Sequence, residues 1–529
     1  MITVDDRGLS RMRALSSAPL SALRRLSGWR ADLLAALLGA LAAAALPPFH
    51  AIPVLLIAVP GLLALIDGST GTLAAVRRGF AFGFGHHLVG LYWITEAILI
   101  EAARYWWLVP LAVPFLAAVL APFIAVACAA ARRAAPGWQR LCVLAGAWTL
   151  ADLARQFIGT GFPWNPWASV WAVPGAFGGV MLQPLAWIGT PGVTLLTILL
   201  AGLPALGWRA VMGGALGVAI WAGAGLERLA EPKMLKPGLA VVLVQGNVAE
   251  GAKWDRAGAV TVFERYLALT KAGVAAAGSR PSVVVWPETA SPFLIGADPA
   301  ARAAIAEAMR PARLAFIGSL RFPDGFPSAQ QSSTANDLPR NSLIALDPEG
   351  DIVASYDKWH LVPFGEYGPT WMPFSVHVVP GQFAFGSGPA TLRLPDIAPV
   401  GPMICYEAIF PAQVVDEAGR PAWLVNITND AWFGNSSGPR QHLAAARMRA
   451  VEEGLPLMRA ANTGITAGFD ARGHELGQLP MNVADTLVLN LPGPRPATSF
   501  ARWGLVIPGL LALAFLGAGY GLAHRRAVR

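Results

Sequence analysis

The sequence predicts a polytopic α-helical membrane part joined to an α/β layered domain. Three observations lead there. The 529 residues are 55% hydrophobic and only 14% charged, with a mean hydropathy of +0.49, whereas soluble domains are about a quarter charged. Apolar runs near the ~20 residues that a bilayer requires fill the first two-fifths of the chain. From residue 236 onward, short β-rich runs alternate with helical ones.

Membrane spans are expected near 31–47, 51–67, 79–99, 106–131, 138–157, 181–205, 209–226 and 504–523. Arginines test this register. Arg11, Arg13, Arg24, Arg25 and Arg30 precede the first span, and Arg77 and Arg78 lie between the second and third. Arg132, Arg133 and Arg140 lie between the fourth and fifth, Arg209 follows the sixth, and Arg525 and Arg526 follow the last. All fall on one side if about eight spans alternate, and loop arginines mark that side as the cytoplasm. An odd number of spans then precedes residue 230, so the next segment emerges outside. The expected organisation is a basic cytoplasmic tail over 1–30, helices 1–7 over 31–230, an extracytoplasmic domain over 236–495, an eighth helix over 504–523 and a cytoplasmic tail over 524–529. The first 30 residues lack the apolar core and small-residue cleavage site of a signal peptide.

The net charge of +8 and pI near 9.7 follow from those loop arginines. No basic stripe with interleaved aromatics points to nucleic acid. Of the three cysteines, Cys128 and Cys142 sit in apolar runs as small packing residues, and Cys405 stands alone in the polar part. Neither a disulfide framework nor a metal cluster is indicated, and no cofactor is expected.

Within 236–495, Leu239–Val244, Ser282–Val285, Leu314–Leu320, Pro399–Ile404 and Trp423–Ile427 read as buried strands. Val260–Val274, Ala301–Met309 and Gln441–Glu453 read as helices. This alternation argues for layers of sheet and helix. Asp347–Gly350 and Asp470–Gly473 sit between β-like runs and suggest hairpins.

Three chemistry-bearing residues stand at the ends of expected strands. Glu288 closes Val285-Trp-Pro-Glu288, where a proline-fixed carboxylate can serve as a general base. Lys358 follows Tyr356-Asp in a chain that writes nearly all its cations as arginine. A compact ammonium suits a developing oxyanion better than a planar fork does. Cys405 follows the apolar run Gly401-Pro-Met-Ile, and a thiolate is a strong nucleophile near neutral pH. Taken singly, each has an ordinary reading: a solvated turn glutamate, an exposed lysine after a hairpin, a buried structural cysteine. Together, base, cation and thiol are what nucleophilic acyl transfer requires.

These segments resemble the Glu-Lys-Cys triad of the nitrilase superfamily. The chain as a whole is similar to the apolipoprotein N-acyltransferase family. The likeness extends through Val244-Gln-Gly-Asn247, Lys253-Trp254-Asp255, Leu361-Val-Pro-Phe-Gly-Glu366 and Asn429-Asp-Ala-Trp-Phe-Gly434. It continues through Gly438-Pro-Arg-Gln-His442, Ala446-Arg-Met-Arg449 and Gly161-Phe-Pro-Trp164. The resemblance implies a nitrilase-like αββα sandwich on a membrane domain. It implies Glu288 as general base, Lys358 as oxyanion lysine and Cys405 as acylated nucleophile. Glu366 matches a further essential carboxylate, Tyr406 and Glu407 the residues after the nucleophile, and Trp254 an aromatic in a loop at the site's mouth. The implied reaction is ping-pong. The sn-1 acyl chain of a phospholipid passes to the cysteine as a thioester, and then to the α-amine of an S-diacylglyceryl cysteine at the N-terminus of a lipoprotein. The implied partners are those two lipid-anchored substrates and the bacterial inner membrane, with the catalytic domain periplasmic; nothing in the sequence requires more than a monomer. Two rivals remain open: a membrane-bound amidase or nitrilase acting on small amides, and a transporter or scaffold with a vestigial domain.

Other residues have plainer readings. His86 and His87 lie inside the third expected span, where interhelical hydrogen bonds or lipid headgroups are the options. Trp164 and Trp167 read as an interfacial aromatic belt, or as the lining of a lipid access path. His360 and His442 invite a Cys-His dyad, but Glu288 already supplies a base. Gly517-Ala-Gly-Tyr-Gly521 reads as helix packing in the last span. Asn426-Ile-Thr428 fits a glycosylation pattern on an expected buried strand and is discounted.

Overall fold

The computed structural model describes residues 20–100, 102–231, 238–249, 256–322, 338–368 and 382–527. Most of the expected basic tail, with Arg11 and Arg13, lies outside these residues, as does Trp254.

Long helices run over Gly28–Ala43, Leu55–Asp67, Thr72–Gly90, Val109–Arg133, Trp138–Arg155, Leu185–Gly202, Trp208–Ala230 and Val506–Ala527. Among the described residues, three stretches are long and apolar enough to cross a membrane: Ala102–Arg133, Leu185–Leu206 and Trp208–Ala230. Ile52–Asp67 and Val506–Gly521 are apolar but shorter. The expected span 79–99 is not one helix. It forms as Thr72–Gly90, breaks, and resumes as Ile94–Leu99. The earlier start brings Arg77 and Arg78 into the helix, where Arg78 is buried and donates to the Ser69 hydroxyl at 2.6 Å.

The outward faces of this bundle are apolar. Leu33, Leu37 and Leu41 are exposed, as are Leu111, Phe115 and Val119, and Met212, Leu216 and Ile220. Each set recurs every fourth residue, which is one face of a helix. Each such side chain left in water forfeits about 1.5–3 kcal/mol, so stripes of this extent mark a surface that meets lipid. Cys128 and Cys142 face inward instead.

The two ends of the bundle differ. At one end Asp67 pairs with both Arg24 and Arg140, Asp32 with Arg77, and Arg132 donates to the Ser69 carbonyl. These contacts bring Arg24, Arg77, Arg132 and Arg140 to one end of the bundle. The opposite end carries the second domain.

That domain is built on two sheets. Its strands are β1 Ala240–Gln245, β2 Ser282–Val285, β3 Leu314–Arg321, β4 Arg340–Leu346, β5 Ile352–Asp357, β6 Val400–Ile404, β7 Trp423–Thr428, β8 Leu457–Ala461, β9 Ala467–Phe469, β10 Glu475–Gln478 and β11 Asp485–Asn490. The first sheet has the order β11-β1-β2-β3-β4-β5 and the second β10-β9-β8-β7-β6. The two-residue period of a strand divides the core. Val241, Leu243, Val283 and Val285 face Val425, Ile427 and Met458 of the other sheet. Val242, Val244 and Val284 face outward under helices Arg256–Ala277 and Pro299–Met309. Helix Gly438–Glu453 covers the second sheet through Ala446 and Ala450 against Leu424 and Leu457. The result is an αββα sandwich, and both expected hairpin turns lie between paired strands, β4–β5 and β9–β10.

Helix Gly438–Glu453 is buried on its polar side too, because that side docks the helical bundle. Gln441 accepts from the indoles of Trp93 and Trp164 at 3.0 and 2.9 Å, and donates to the Pro47 and Gly90 carbonyls. Arg447 donates to the Val173 carbonyl at 2.9 Å. Glu452 accepts from both the amide and the hydroxyl of Thr190 at 2.6 Å, and Arg449 pairs with Glu452 at 2.8 Å. Trp164 and Trp167 are therefore buried joints, not the interfacial belt their composition suggested. Trp167 donates to His86 at 3.4 Å, which gives that histidine an interhelical hydrogen bond.

Candidate active site

Glu288, Lys358 and Cys405 meet at one end of the sandwich. Each follows a strand whose buried residues fix its position: Glu288 comes after β2, Lys358 directly after β5 and Cys405 directly after β6. Two glycines let the backbones close in. A Cβ on Gly318 would overlap the Pro287 carbonyl, and one on Gly386 would overlap the Asp357 carbonyl.

The Lys358 ammonium donates to Glu288 Oε1 at 3.0 Å and to Glu366 Oε1 at 2.9 Å. Asn341 Nδ2 bridges the same two oxygens at 2.7 and 2.8 Å. Glu288 Oε2 accepts from the Asn429 amide at 2.8 Å, and Glu366 Oε2 from the Val362 amide at 2.8 Å. Glu288, Lys358 and Glu366 are all buried, Lys358 to 1% exposure. The Cys405 thiol lies close enough to Glu288 for each to shift the other's titration.

The electrostatics divide labour. Burial pushes the Glu288 carboxyl up, but the Lys358 ammonium and the hydrogen bonds from Lys358 and Asn341 outweigh it and hold it below its ordinary value. Burial disfavours the Lys358 charge, yet Glu288 and Glu366 raise it well above the usual lysine range. Burial and the Glu288 charge push the Cys405 thiol up, against Lys358 and a hydrogen bond with Thr428. At rest the sulfur is therefore protonated beside an ionised carboxylate, which is the starting state for general-base activation. An ammonium has three N–H bonds, and those to Glu288 and Glu366 leave one for an oxyanion.

Cys405 has φ of +50°, and Thr289 and Phe364, close to Glu288 and Lys358, have φ of +44° and +63°. Left-handed non-glycine residues are held only where the surroundings over-determine them. Behind Cys405, Glu407 is one clamp. Its Oε2 accepts from the Ile404 amide at 2.7 Å and the Tyr356 hydroxyl at 2.9 Å, and its Oε1 from the Trp359 amide at 2.8 Å. It thus ties the lysine loop to the cysteine turn. With burial dominant, its carboxyl is pushed up to about 7. Tyr406 donates to the Gly161 carbonyl at 2.8 Å and packs on Phe162, so it joins the nucleophile turn to the helical bundle.

Neither histidine forms a dyad. His360 bonds to Gln413 at 2.8 Å and stacks on Phe410. His442 bonds to the Cys405 carbonyl, not the sulfur. Among the described residues no group of His, Cys, Asp and Glu is disposed to hold a metal. Asn426 is fully buried on β7, as its expected strand required. Sequence reasoning assigned no role to Asn341 or Asn429. For Asn341 a signal existed: it shares strand parity with Leu343 and Ala345, so an amide was bound to point inward.

Both halves of the chain match known families. The carbon-nitrogen hydrolase family profile matches residues 240–492, and that of the apolipoprotein N-acyltransferase N-terminal domain matches 38–203. An apolipoprotein N-acyltransferase of Rhodopseudomonas palustris is 38% identical over 90% of this chain and 92% of its own length. The chain belongs to the apolipoprotein N-acyltransferase family. A relative of the same name from Allorhizobium ampelinum is 39% identical over 86% of this chain and 89% of that protein. It follows that this is an enzyme of the carbon-nitrogen hydrolase superfamily and an N-acyltransferase by family, serving lipoprotein acylation.

Proposed function

We propose that the protein moves the sn-1 acyl chain of a phospholipid to the α-amine of an S-diacylglyceryl cysteine through a thioester on Cys405. The observation that carries this reading is the buried Glu288–Lys358–Cys405 constellation on a bundle with apolar outer faces. In the first half-reaction Glu288 takes the thiol proton and the sulfur attacks the ester carbonyl. The free N–H of Lys358 meets the oxyanion. Collapse expels the lysophospholipid alkoxide, which takes the proton from Glu288. In the second half the amine attacks the thioester, Glu288 accepts its proton, and the departing thiolate recovers it. Glu366 holds the ammonium in place, and Tyr406 and Glu407 hold the nucleophile turn. Water must be excluded between the halves, a task that suits the buried Trp93 and Trp164 and the half-buried Phe433 packed against them.

The same reading takes the eight long helices as eight spans of an inner-membrane protein, with the organisation 1–30, 31–230, 236–495, 504–523 and 524–529. The arginine-paired end faces the cytoplasm and the sandwich the periplasm. Supporting it, Arg140 begins a helix at one end and Arg155 closes it at the other, beside the sandwich. Arg209 and Arg228 likewise sit at opposite ends of Trp208–Ala230, and Arg472 of the sandwich donates to the Arg228 carbonyl.

Purified protein given phospholipid should gain the mass of one acyl chain, and neutral hydroxylamine should remove it. Persistence of the adduct in Cys405→Ala would refute the assignment. A periplasm-dependent reporter inserted near residue 300 should be active, and cytoplasmic activity would overturn the orientation.

A further inference from the structure

His442 stands beside the nucleophile and yet does not face its sulfur. Its Nε2 lies 2.9 Å from the Cys405 carbonyl oxygen. A carbonyl only accepts, so Nε2 carries the proton there. Its Nδ1 lies 3.0 Å from Asp430 Oδ1, and Asp430 Oδ2 is 2.6 Å from Arg459 Nη2. Arg459 also donates to Asn426 on β7. His442, Asp430 and Arg459 are fully buried, each at 0% exposure. Trp164 and Phe433 pack against the imidazole at 5.5 and 6.2 Å between ring centroids and limit its plane. The acyl-transfer steps use none of these three charged or titratable groups.

The turn they surround needs holding. Cys405 adopts a left-handed conformation at φ +50°, which a residue with a side chain keeps only where its surroundings hold it. The β6–β7 register ends at Ile404 opposite Ile427. The Cys405 carbonyl is the first one beyond that ladder, and His442 donates to it.

We propose that His442, set by Asp430 and Arg459, is a positioning residue for Cys405. It fastens the main chain of the nucleophile in its left-handed turn, so that the sulfur is aimed at Glu288 and Lys358. The inference rests on the reading of Cys405 as the acylated group. Geometry speaks against His442 as a proton acceptor for the thiol, because one ring nitrogen is engaged by the carbonyl and the other faces the carboxylate. The neighbouring Gln441 grips Trp93 and Trp164. One turn of helix thus registers the nucleophile to the loops of the helical bundle.

The test is the rate of acyl-adduct formation by intact mass on the full-length protein in detergent with phosphatidylethanolamine. Alongside the unsubstituted protein run His442→Leu, His442→Gln and Cys405→Ala. A reacting group displaced by about 1 Å loses on the order of 100-fold, and His442→Leu should slow by about that factor with the KM for phospholipid unchanged. His442→Gln, whose amide N–H can reach the same carbonyl, should recover most of the rate. Full speed in His442→Leu would overturn the proposal. So would His442→Gln as slow as the leucine variant, since an imidazole would then be needed for itself. Should His442→Leu fail to fold, the glutamine variant alone decides in the same way. An adduct persisting in Cys405→Ala would instead remove the nucleophile reading on which the proposal stands.

Discussion

On the face of the site that carries the thiol, Glu288 meets an ammonium; behind the same turn, Glu407 meets only neutral donors. Both carboxylates are buried, and both accept several hydrogen bonds. The direct hydrogen bond from the ammonium makes the difference, since at Glu407 Lys358 acts only through its charge. Glu288 is held below its ordinary value by Lys358, while Glu407, against which burial prevails, rises to about 7. A buried carboxylate kept ionised next to a protonated thiol is equipped to move a proton. One surrounded by backbone amides is equipped to hold two loops together. The contrast therefore separates a reacting face from a bracing one.

The largest expected effect falls on the reacting face. Glu288→Gln keeps the shape and removes the base, and kcat should fall by about 10²–10⁴-fold, far more than any accompanying fall in melting point accounts for. A near-normal kcat would move the base elsewhere. Lys358→Arg should follow, with a loss on the order of 10²–10³-fold. The pocket between Glu288 and Glu366 leaves Lys358 at 1% exposure, and a guanidinium fork does not fit a slot shaped for an ammonium. Retained activity would show that the cation is not an oxyanion partner.

Glu407→Gln tests the bracing face. The amide puts N–H groups against donors that now point at oxygens, and buried unpaired donors cost about 1–3 kcal/mol. The variant should melt lower, and activity should fall together with stability. A large drop in kcat at an unchanged melting point would erase the distinction between the faces. The smallest effect is one of pH. Because the folded value of about 7 exceeds the ordinary 4.5, the folded state binds this proton more tightly than the unfolded chain does. The contribution of Glu407 to stability is present below about pH 4.5, declines as pH rises towards 7 and is lost above it. The melting point of the unsubstituted protein, referenced to Glu407→Gln, should drop between pH 5 and 8. A rising difference would contradict the burial argument.

Much of this was legible beforehand. Buried β-rich runs announced β2 to the residue, and β3, β6 and β7 within one. Glu288, Lys358 and Cys405 each follow an expected strand and carry complementary chemistry, which is what grouped them. What was not legible depends on three dimensions. The left-handed turn of Cys405 has no glycine to advertise it. Asp430 and Arg459 are 29 residues apart, and only the β7–β8 pairing brings them together. Trp164 and Trp167 looked interfacial because aromatic composition cannot distinguish a lipid boundary from a packed joint. The helix that holds most of the third expected span starts earlier than hydropathy suggests, because the buried partners of Arg78 are invisible in a hydropathy profile.

The grip of Gln441 on two indoles and two carbonyls bears on how the molecule comes apart. Cutting the sandwich free of its helices would strand those donors and acceptors, together with Arg447, Arg449 and Glu452, on a naked flank. The halves should consequently melt as one cooperative unit in calorimetry, and a truncated sandwich should emerge from expression as an aggregate, not as a small soluble hydrolase.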